Sequence, residues 1–289
     1  MKKYNRISPL SELSLLIQEA FLVLIGETRN LIISLLFPVI AMMVTIWIAG
    51  EDMYENFEAT KSACFIVVCA AIWCGLFNSI QVVVKERAII KREYVSGALR
   101  IACYTGSRTI IQMVLCLIQS LVLTLCFPGV ELVYGNDMPS SGLLFDGIFL
   151  EYYISVFLLM LAADALGLMI SCFVKSEQLA SQLSPYILIV QLLFSGVLFP
   201  MEGASSAVSA LMLSRWGMES LGSTCDLNTL PLRLQEEMAG IPLPHKADDA
   251  FSYESEHVLL VWLILLAFIV VPIVIGNFGL HRVKYDSRD

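Results

Sequence analysis

Ionisable side chains are scarce within the apolar stretches of this sequence, so each one there is a candidate for chemistry. Asp164 lies in the apolar run Leu159–Gly167. A carboxyl group in such a place suits a proton or cation relay, and it equally suits a protonated or hydrogen-bonded group between packed helices. A relay needs partners at matching depth, and the other apolar stretches supply no acid or base there. The sequence therefore favours a structural Asp164 and leaves an ion-driven carrier as the alternative.

The cysteines and histidines form no recognisable metal or catalytic motif. The chain has eight cysteines and three histidines, and no cysteine pair with metal-ligand spacing has a histidine nearby. Phosphate-binding loops and the serine- and zinc-hydrolase motifs are also missing from the sequence, so we expect no metal site and no ATP hydrolysis on this chain. Cys225 is the one cysteine in a predicted outer loop, where it can stay free or form an intermolecular disulfide.

Most of the chain is apolar, which predicts a membrane protein. Of the 289 residues, 57% are hydrophobic and 15% are charged, whereas a soluble domain carries about 25% charged residues. A helix of about 20 apolar residues crosses the hydrocarbon core of a bilayer. Six stretches meet this length, and the predicted spans are Leu31–Gly50, Ser62–Val84, Arg108–Pro128, Ile148–Phe173, Ser181–Pro200 and Val258–Leu280.

The segment before the first span is predicted to be an interfacial helix, Pro9–Thr28. Ser8 can cap it, Pro9 suits its first turn, and apolar residues recur at helical spacing after Leu13. No small-residue cleavage site follows, which argues against a signal peptide. The predicted fold is thus an all-α integral membrane protein with six transmembrane helices preceded by an amphipathic elbow helix. Its parts are residues 1–30, a permease region at 31–280 with an outer loop at 201–257, and a tail at 281–289.

The distribution of Lys and Arg predicts the orientation. One set of connecting segments, with both termini, carries 14 of these residues, and the other set carries 4. Loops rich in Lys and Arg face the cytoplasm, so both termini are predicted there, in the plasma (inner) membrane. Acidic outer loops account for the net charge of −8, and nothing in the sequence indicates nucleic-acid binding.

The densest run of charge joins the second and third spans, in the cytoplasmic segment 85–107. Basic and acidic residues alternate there, which is typical of a helix that stands out of the membrane with salt bridges on its faces. A simple anchor for the two spans would not need Glu86 and Glu93. The run continues with Tyr94, a Ser-Gly pair at 96–97, Arg100 and Tyr104.

This segment resembles the one that joins spans 2 and 3 in type-2 ABC exporter permeases, especially the white/pigment group, called subfamily G. Two more runs are similar to motifs of that group, Phe-Ser-Gly-Val-Leu-Phe-Pro at 194–200 and Leu-Ser-Arg-Trp-Gly-Met-Glu-Ser-Leu at 213–221. The chain departs from the pattern at Ala98 and Leu99, and at Arg215 and Trp216, where the group has Tyr, Pro and Tyr in its motifs. The resemblance covers nearly the whole chain, including the elbow helix.

The resemblance implies an ABC permease subunit that exports its cargo. It would form a homo- or heterodimer with a second permease copy in the lipid bilayer, with ATP and Mg²⁺ bound by a partner ABC ATPase subunit rather than by this chain. The coupling contacts to the ATPase, or salt bridges to the elbow helix, would then involve Glu86, Arg87, Arg92, Glu93 and Tyr94.

By the same resemblance, a substrate cavity would lie between the second and fifth spans. Such a cavity suits an amphipathic or hydrophobic cargo such as a lipid, a peptide or a drug, whereas Ser79 in place of an aromatic residue disfavours flat polycyclic molecules. Lipid contact or core packing is the alternative role of the aliphatic residues, and a non-transporting anchor or sensor stays open for the chain. The implied cavity residues are Leu76, Asn78, Ser79, Ile189 and Leu192, and the implied gate residues are Val197 and Leu198.

Overall fold

The computed structural model describes residues 8–136, 138–139, 141–199, 201, 203–231 and 248–285, and these residues contain no strand. The described residues form a set of helices. The helices are α1 Pro9–Gly26, α2 Thr28–Ala49, α3 Phe57–Ser79, α4 Val82–Ser96, α5 Ile101–Thr124, α6 Cys126–Tyr134, α7 Ile148–Phe173, α8 Glu177–Leu193, α9 Ala204–Ser209, α10 Leu213–Thr224 and α11 Ser255–Leu280.

Among the described residues, six helical stretches are long and apolar enough to cross a membrane, which confirms the all-α integral membrane fold. The set differs from the predicted spans in two places. The helix α1, predicted to lie in the interface, meets the criterion by its length and composition. The helix α8 is not in the set, since it has only 17 residues. The six stretches are Pro9–Gly26, Thr28–Asp52, Phe57–Ser96, Ile101–Tyr134, Ile148–Phe173 and Ser255–Tyr285.

The predicted fifth span is wrong at its C-terminal end, because α8 stops at Leu193. After the helix, Ser195 Oγ donates to the main-chain oxygen of Leu192 at 2.8 Å and accepts from Val197 N at 3.2 Å. Gly196 has a φ of +80°, a conformation that glycine adopts without steric cost. A local side-chain network thus replaces the helical hydrogen bonds. Pro200, where the predicted span ended, lies outside the described residues.

The junction between α3 and α4 is held by the C-terminal end of α7. Ser171 Oγ accepts hydrogen bonds from Val83 N at 3.1 Å and Val84 N at 3.2 Å, which caps the first turn of α4. In return, Arg87 Nη1 donates to the main-chain oxygens of Cys172 at 2.9 Å and Val174 at 3.1 Å. Each helix therefore satisfies backbone groups that the other leaves open at its end. The predicted second span, Ser62–Val84, runs through this junction.

Two glycines bring α3 and α7 into close contact. A Cβ atom at Gly75 would lie 2.1 Å from the main-chain oxygen of Met160, and one at Gly167 would lie 2.5 Å from Ser79 Oγ. Ser79 Oγ also donates to the main-chain oxygen of Asp164 at 2.6 Å. The backbones of the two helices are therefore near enough for a direct hydrogen bond between them, as small residues permit in membrane helices.

Part of the predicted outer loop belongs to the core of the bundle. The helix α10 is almost entirely buried, and a Cβ atom at its Gly217 would lie 2.6 Å from Leu159 Cδ2 on α7. Ser155 Oγ on α7 receives hydrogen bonds from Ser220 Oγ on α10 at 2.8 Å and from Trp262 Nε1 on α11 at 2.9 Å. These bonds join three helices across the core. Residues 232–247 of the predicted loop lie outside the described residues.

Replacing Gly75 with alanine should destabilise the protein. The added Cβ would overlap a main-chain oxygen on α7 that cannot move aside as a flexible side chain can. Overpacking of this kind costs about 1–3 kcal/mol, so we expect Gly75→Ala to lower the midpoint of thermal unfolding in nanodiscs. Gly26→Ala is the matched control, because nothing lies within 4 Å of its added Cβ. Equal midpoints for the two variants would contradict the close contact of α3 and α7.

Candidate functional site: a lateral groove and the outward face of α4

Two adjoining cavities form one groove along α1 to α5, which we call the lateral groove. The first cavity has a volume of about 400 Å³ and is lined by residues of α1 to α5. The second has a volume of about 370 Å³ and lies between α2 and α3, with Gln119 of α5 in its wall. The two share Asn30, Ser34, Phe77 and Asn78 in their walls.

The second cavity is the apolar half of the groove. Trp73 stacks on Phe37 with ring centroids 6.1 Å apart, and Phe77 meets the edge of Trp73 at 6.0 Å. Phe77 is 52% exposed, although it lies on a helix whose other face is buried. The groove therefore offers an aromatic wall that no part of the described chain covers.

A cluster of amide and hydroxyl groups lies where the two cavities meet. Ser34 Oγ donates to Asn78 Oδ1 at 3.0 Å, Asn78 Nδ2 donates to Gln119 Oε1 at 2.6 Å, and Gln119 Nε2 donates back to Ser34 Oγ at 2.7 Å. Gln112 Nε2 donates to the main-chain oxygen of Asn78 at 3.0 Å. These bonds tie α2, α3 and α5 together, which is the ordinary use of polar residues between membrane helices.

The first cavity is the polar half of the groove and is built around an ion pair. Arg108 Nη2 lies 2.8 Å from Glu86 Oε1 and 2.7 Å from Glu86 Oε2. Tyr104 donates its hydroxyl to Glu86 Oε2 at 2.5 Å, and its ring lies 5.1 Å from the guanidinium carbon of Arg108. Arg108 is only 6% exposed, so Glu86 supplies the countercharge that its burial requires.

A second ion pair fixes α1 to the start of α5. Glu12 is 7% exposed, and its Oε1 accepts from Arg100 N at 2.6 Å while its Oε2 accepts from Arg100 Nη1 at 2.9 Å. The carboxylate thus lies at the N-terminus of α5, where the helix dipole favours a negative charge. The predicted salt bridges to α1 involved Glu86, Arg87, Arg92 and Glu93, whereas the ion pair in the structure is made by Arg100.

The structure does not bring the predicted cavity residues together. Leu76 and Ser79 are fully buried in the part of α3 that Gly75 and Gly167 bring close to α7. They therefore do not line the lateral groove, and their role in a substrate cavity stays a prediction. Asn78 does line the lateral groove. The other predicted positions lie away from it: Ile189 and Leu198 are about half exposed, and Leu192 and Val197 are partly buried.

The predicted coupling residues divide between the two sides of α4. Glu86 and Arg87 bond to α5 and α7, and Tyr94 Oη lies 3.0 Å from His281 Nδ1. Glu93 is partly buried, while Arg92 is exposed. The exposed residues of α4 are Lys85, Ala88, Ile89, Arg92, Val95 and Ser96. Lys85 borders the lateral groove, and what we call the outward face of α4 consists of Ala88, Ile89, Arg92 and Val95.

Asp164 lies in the core and not in the groove. It is 1% exposed, and neither carboxyl oxygen has a hydrogen-bond partner among the described residues. It lines neither half of the lateral groove. A second buried acid on the same helix, Glu151, was not predicted from the sequence. It accepts hydrogen bonds from Leu143 N at 2.9 Å, from Leu144 N at 3.1 Å and from Thr224 Oγ1 at 2.9 Å.

The predicted outer cysteine is buried. Cys225 is 2% exposed, with its Sγ 3.5 Å from Cys64 Sγ and 3.2 Å from the hydroxyl oxygen of Tyr152. A thiol in this position is not accessible to a second chain, so the geometry does not support the intermolecular disulfide. On the same segment, Glu219 is buried beside Arg215, whose Nε lies 2.7 Å from its Oε1. Burial raises the pKa of the Glu219 carboxyl, and the Arg215 contact opposes this rise.

Replacing Glu86 with glutamine should destabilise the polar half of the groove. The change leaves Arg108 buried without its countercharge, and a hydrogen bond to a charged group contributes about 1.5–3 kcal/mol. We expect a lower midpoint of thermal unfolding for Glu86→Gln, with partial recovery when Arg108→Gln is added. Glu93→Gln serves as the control, because Glu93 makes no ion pair with a described residue. A Glu86→Gln midpoint equal to that of the control would show that the ion pair has no structural role.

Comparison with known proteins identifies the family. The model of the family described as ABC-2 type transporter matches residues 11–224. Over 160 residues the chain is 29% identical to the "ABC transporter ATP-binding/permease protein Rv1747" of Mycobacterium tuberculosis. The match covers 54% of this chain and 18% of that protein, so the chain spans less than a fifth of the relative's length. With its helices long and apolar enough to cross a membrane and a family match over most of its length, the chain belongs to the ABC-2 type transporter family.

Proposed function

We propose that this chain is the permease subunit of an ATP-driven exporter and works as a dimer with separate ABC ATPase subunits. The family assignment supports an ABC transporter membrane subunit, and the mycobacterial relative is named as an ATP-binding/permease protein. The proposal places ATP and Mg²⁺ on the partner. It places the chain in the plasma membrane with both termini in the cytoplasm, as the distribution of Lys and Arg predicts.

The observation that carries the proposal is the two-sided character of α4. Its inner side is used by the bundle: Glu86 bonds to α5, Arg87 caps α7, and Ile90 is 2% exposed. Its outward face exposes Ile89 at 52% and Val95 at 64%, with Arg92 between them. Isolated apolar residues are ordinary on a surface, but an apolar and cationic stripe on a helix outside the membrane suits a protein partner.

This arrangement offers a route from the ATPase to the membrane helices. A displacement of α4 by closing ATPase subunits would act on α7 through the reciprocal caps and on α5 through Glu86 and Arg108. Both contacts are directional bonds between buried or partly buried groups. They would transmit a movement of α4 rather than absorb it. The close contact of α3 with α7 would carry the same displacement to α3.

The cargo in this proposal is amphipathic or hydrophobic. The lateral groove has a polar half and an aromatic half, which matches a molecule with one polar and one apolar end. A lipid, a peptide or a drug with that character would fit. Membership in subfamily G is part of the same proposal and rests on the sequence motifs.

Replacing an apolar and a cationic residue on the outward face of α4 with acidic residues should prevent the ATPase from binding. We expect Ile89→Asp with Arg92→Glu to abolish co-purification of an ATP-hydrolysing subunit from native membranes, because an apolar contact and a cation are both lost. The matched control is Arg29→Glu with Tyr285→Asp, which makes the same change in charge at exposed positions off α4. Thermal stability should be equal for the two variants. If the α4 variant kept its ATPase partner, the docking assignment would be wrong.

The second candidate function is an ion-gradient-driven carrier that uses Asp164. The observation in its favour is that both carboxyl oxygens of this buried group lack a hydrogen-bond partner among the described residues. An ion-driven carrier would exchange a proton on such a carboxyl group. Asp164 is not among the residues that line the lateral groove, which argues against a transport role there.

Asp164→Asn separates the two functions. Asparagine has the size of a protonated aspartate and no exchangeable charge. If the chain is the permease subunit of an ATP-driven exporter, we therefore expect Asp164→Asn to leave the stability of the protein and ATP hydrolysis by the purified complex unchanged. Asp164→Leu provides a second variant without polar atoms. A folded Asp164→Asn protein whose transport is lost, while the wild type transports without ATP, would establish the carrier instead.

A further inference from the structure

The walls of the lateral groove match a particular kind of amphiphile. Its apolar half presents Phe37, Trp73 and Phe77, and its polar half presents charged side chains from the end of α1 and from α4 and α5. The two halves are continuous through Asn30 and Ser34. A membrane lipid has this order of parts, with a headgroup next to its acyl chains, and a groove open to the side admits it from the bilayer.

The charges in the polar half leave one cation and one carboxylate unmatched. Arg108 and Glu86 neutralise one another. Lys85 lines the same cavity and makes no ion pair with any residue that the structure describes. Glu27 lines it too, and its Oε2 accepts a single hydrogen bond of 2.6 Å from the neutral amide of Asn30. A headgroup with one phosphate and one ammonium therefore complements the site, whereas an anionic headgroup would leave Glu27 facing a like charge.

Two buried polar atoms in the wall also lack partners. Arg108 Nε and Gln112 Oε1 are buried without a hydrogen bond to any described residue, and the two side chains are 6% and 7% exposed. Buried polar groups in folded proteins nearly always have a partner, so these two point to a ligand that fills the cavity. The arginine offers a donor and the glutamine offers an acceptor. The ligand must therefore supply both an oxygen acceptor and an N–H or O–H donor.

We propose that the lateral groove binds a phospholipid whose zwitterionic headgroup carries a primary amine, with the phosphate at Lys85 and Arg108 and the ammonium at Glu27 and Gln112. A primary ammonium has three N–H donors, as the lysine side chain does, whereas a quaternary choline group has none. The site therefore favours phosphatidylethanolamine over phosphatidylcholine. Its acyl chain lies against Phe37, Trp73 and Phe77. This binding site does not depend on the coupling of the chain to an ATPase.

The test is competitive lipid binding followed by native mass spectrometry. The purified full-length chain is delipidated in detergent and titrated with phosphatidylethanolamine, phosphatidylcholine and phosphatidylglycerol that have identical acyl chains. We expect the first retained lipid to be phosphatidylethanolamine, by about tenfold over the other two, since one charge-assisted hydrogen bond is worth that factor. Equal retention of the three lipids, or a preference for phosphatidylglycerol, would overturn the proposal.

Variants locate the two halves of the headgroup. Glu27→Gln keeps an acceptor for Asn30 and removes the charge that faces the ammonium, so it should lose the preference for phosphatidylethanolamine over phosphatidylcholine. Lys85→Gln should weaken all three lipids by about tenfold, because each carries a phosphate. Glu93→Gln and Arg92→Gln are the matched controls outside the groove and should bind as the wild type does.

Lipid-free thermal unfolding shows that each variant is folded before binding is compared. Failure of Glu27→Gln and Lys85→Gln to change binding, while both remain folded, would place the lipid elsewhere. Since this readout needs no ATP and no partner, its result is separate from the test of the proposed function.

Discussion

The contact between α7 and the α3–α4 pair is the constraint on which the rest of this structure depends. Gly75 and Gly167 let the two backbones approach, and a hydrogen bond from Ser79 to the main chain of α7 spans the gap. At the far end of the same contact, Ser171 and Arg87 cap one another's helices. The chain can therefore leave α3, turn at residues 80–81 and start α4 at a fixed place. The position of every charged residue on α4 follows from that start.

Fixing the start of α4 decides which of its residues are available to other molecules. One side of the helix meets α5 and α7, where the Glu86 carboxylate neutralises a guanidinium that the bundle has almost wholly buried. A buried charge is costly without such a partner, so this side is committed to the fold. The opposite side is exposed and does not neutralise a buried charge. A helix that packs against the bundle on one side and is exposed on the other is well suited to transmit a force from a soluble partner to the membrane helices.

The sequence predicted the positions of the helices better than it predicted which residues pack against one another. The helix α7 begins and ends at the residues expected from hydropathy, and Ser8 caps α1 as the sequence indicates, with its Oγ accepting from Ser11 N. Membership among ABC transporters was also correctly inferred, since charge interleaving and the Ser-Gly break in the segment 85–107 are local features of the chain.

The differences between the predictions and the structure share a physical origin in tertiary packing. Leu76 and Ser79 were assigned to a cavity by the family resemblance, whereas the side of α3 that meets α7 is selected by Gly75 on one helix and Gly167 on the other. Hydropathy did not predict the end of α8, because residues 194–199 are mostly apolar. The helix ends there because Gly196 and the Ser195 hydroxyl break it. Cys225 seemed to lie in a loop because α10, which precedes it, is short and only a third of its residues are hydrophobic, yet the helix packs into the core.

The most direct test of the account is site-specific photo-crosslinking on α4 in native membranes. A photoreactive amino acid is placed at Ile89, which is 52% exposed, and in a second protein at Ile90, which is 2% exposed. The account predicts a crosslink from position 89 to an ATP-binding protein, strengthened or weakened by ATP, and only internal crosslinks from position 90. Crosslinks to an ATP-binding protein from neither position, in a protein that folds and reaches the membrane, would contradict the assignment of α4 as the surface that couples this permease to its ATPase.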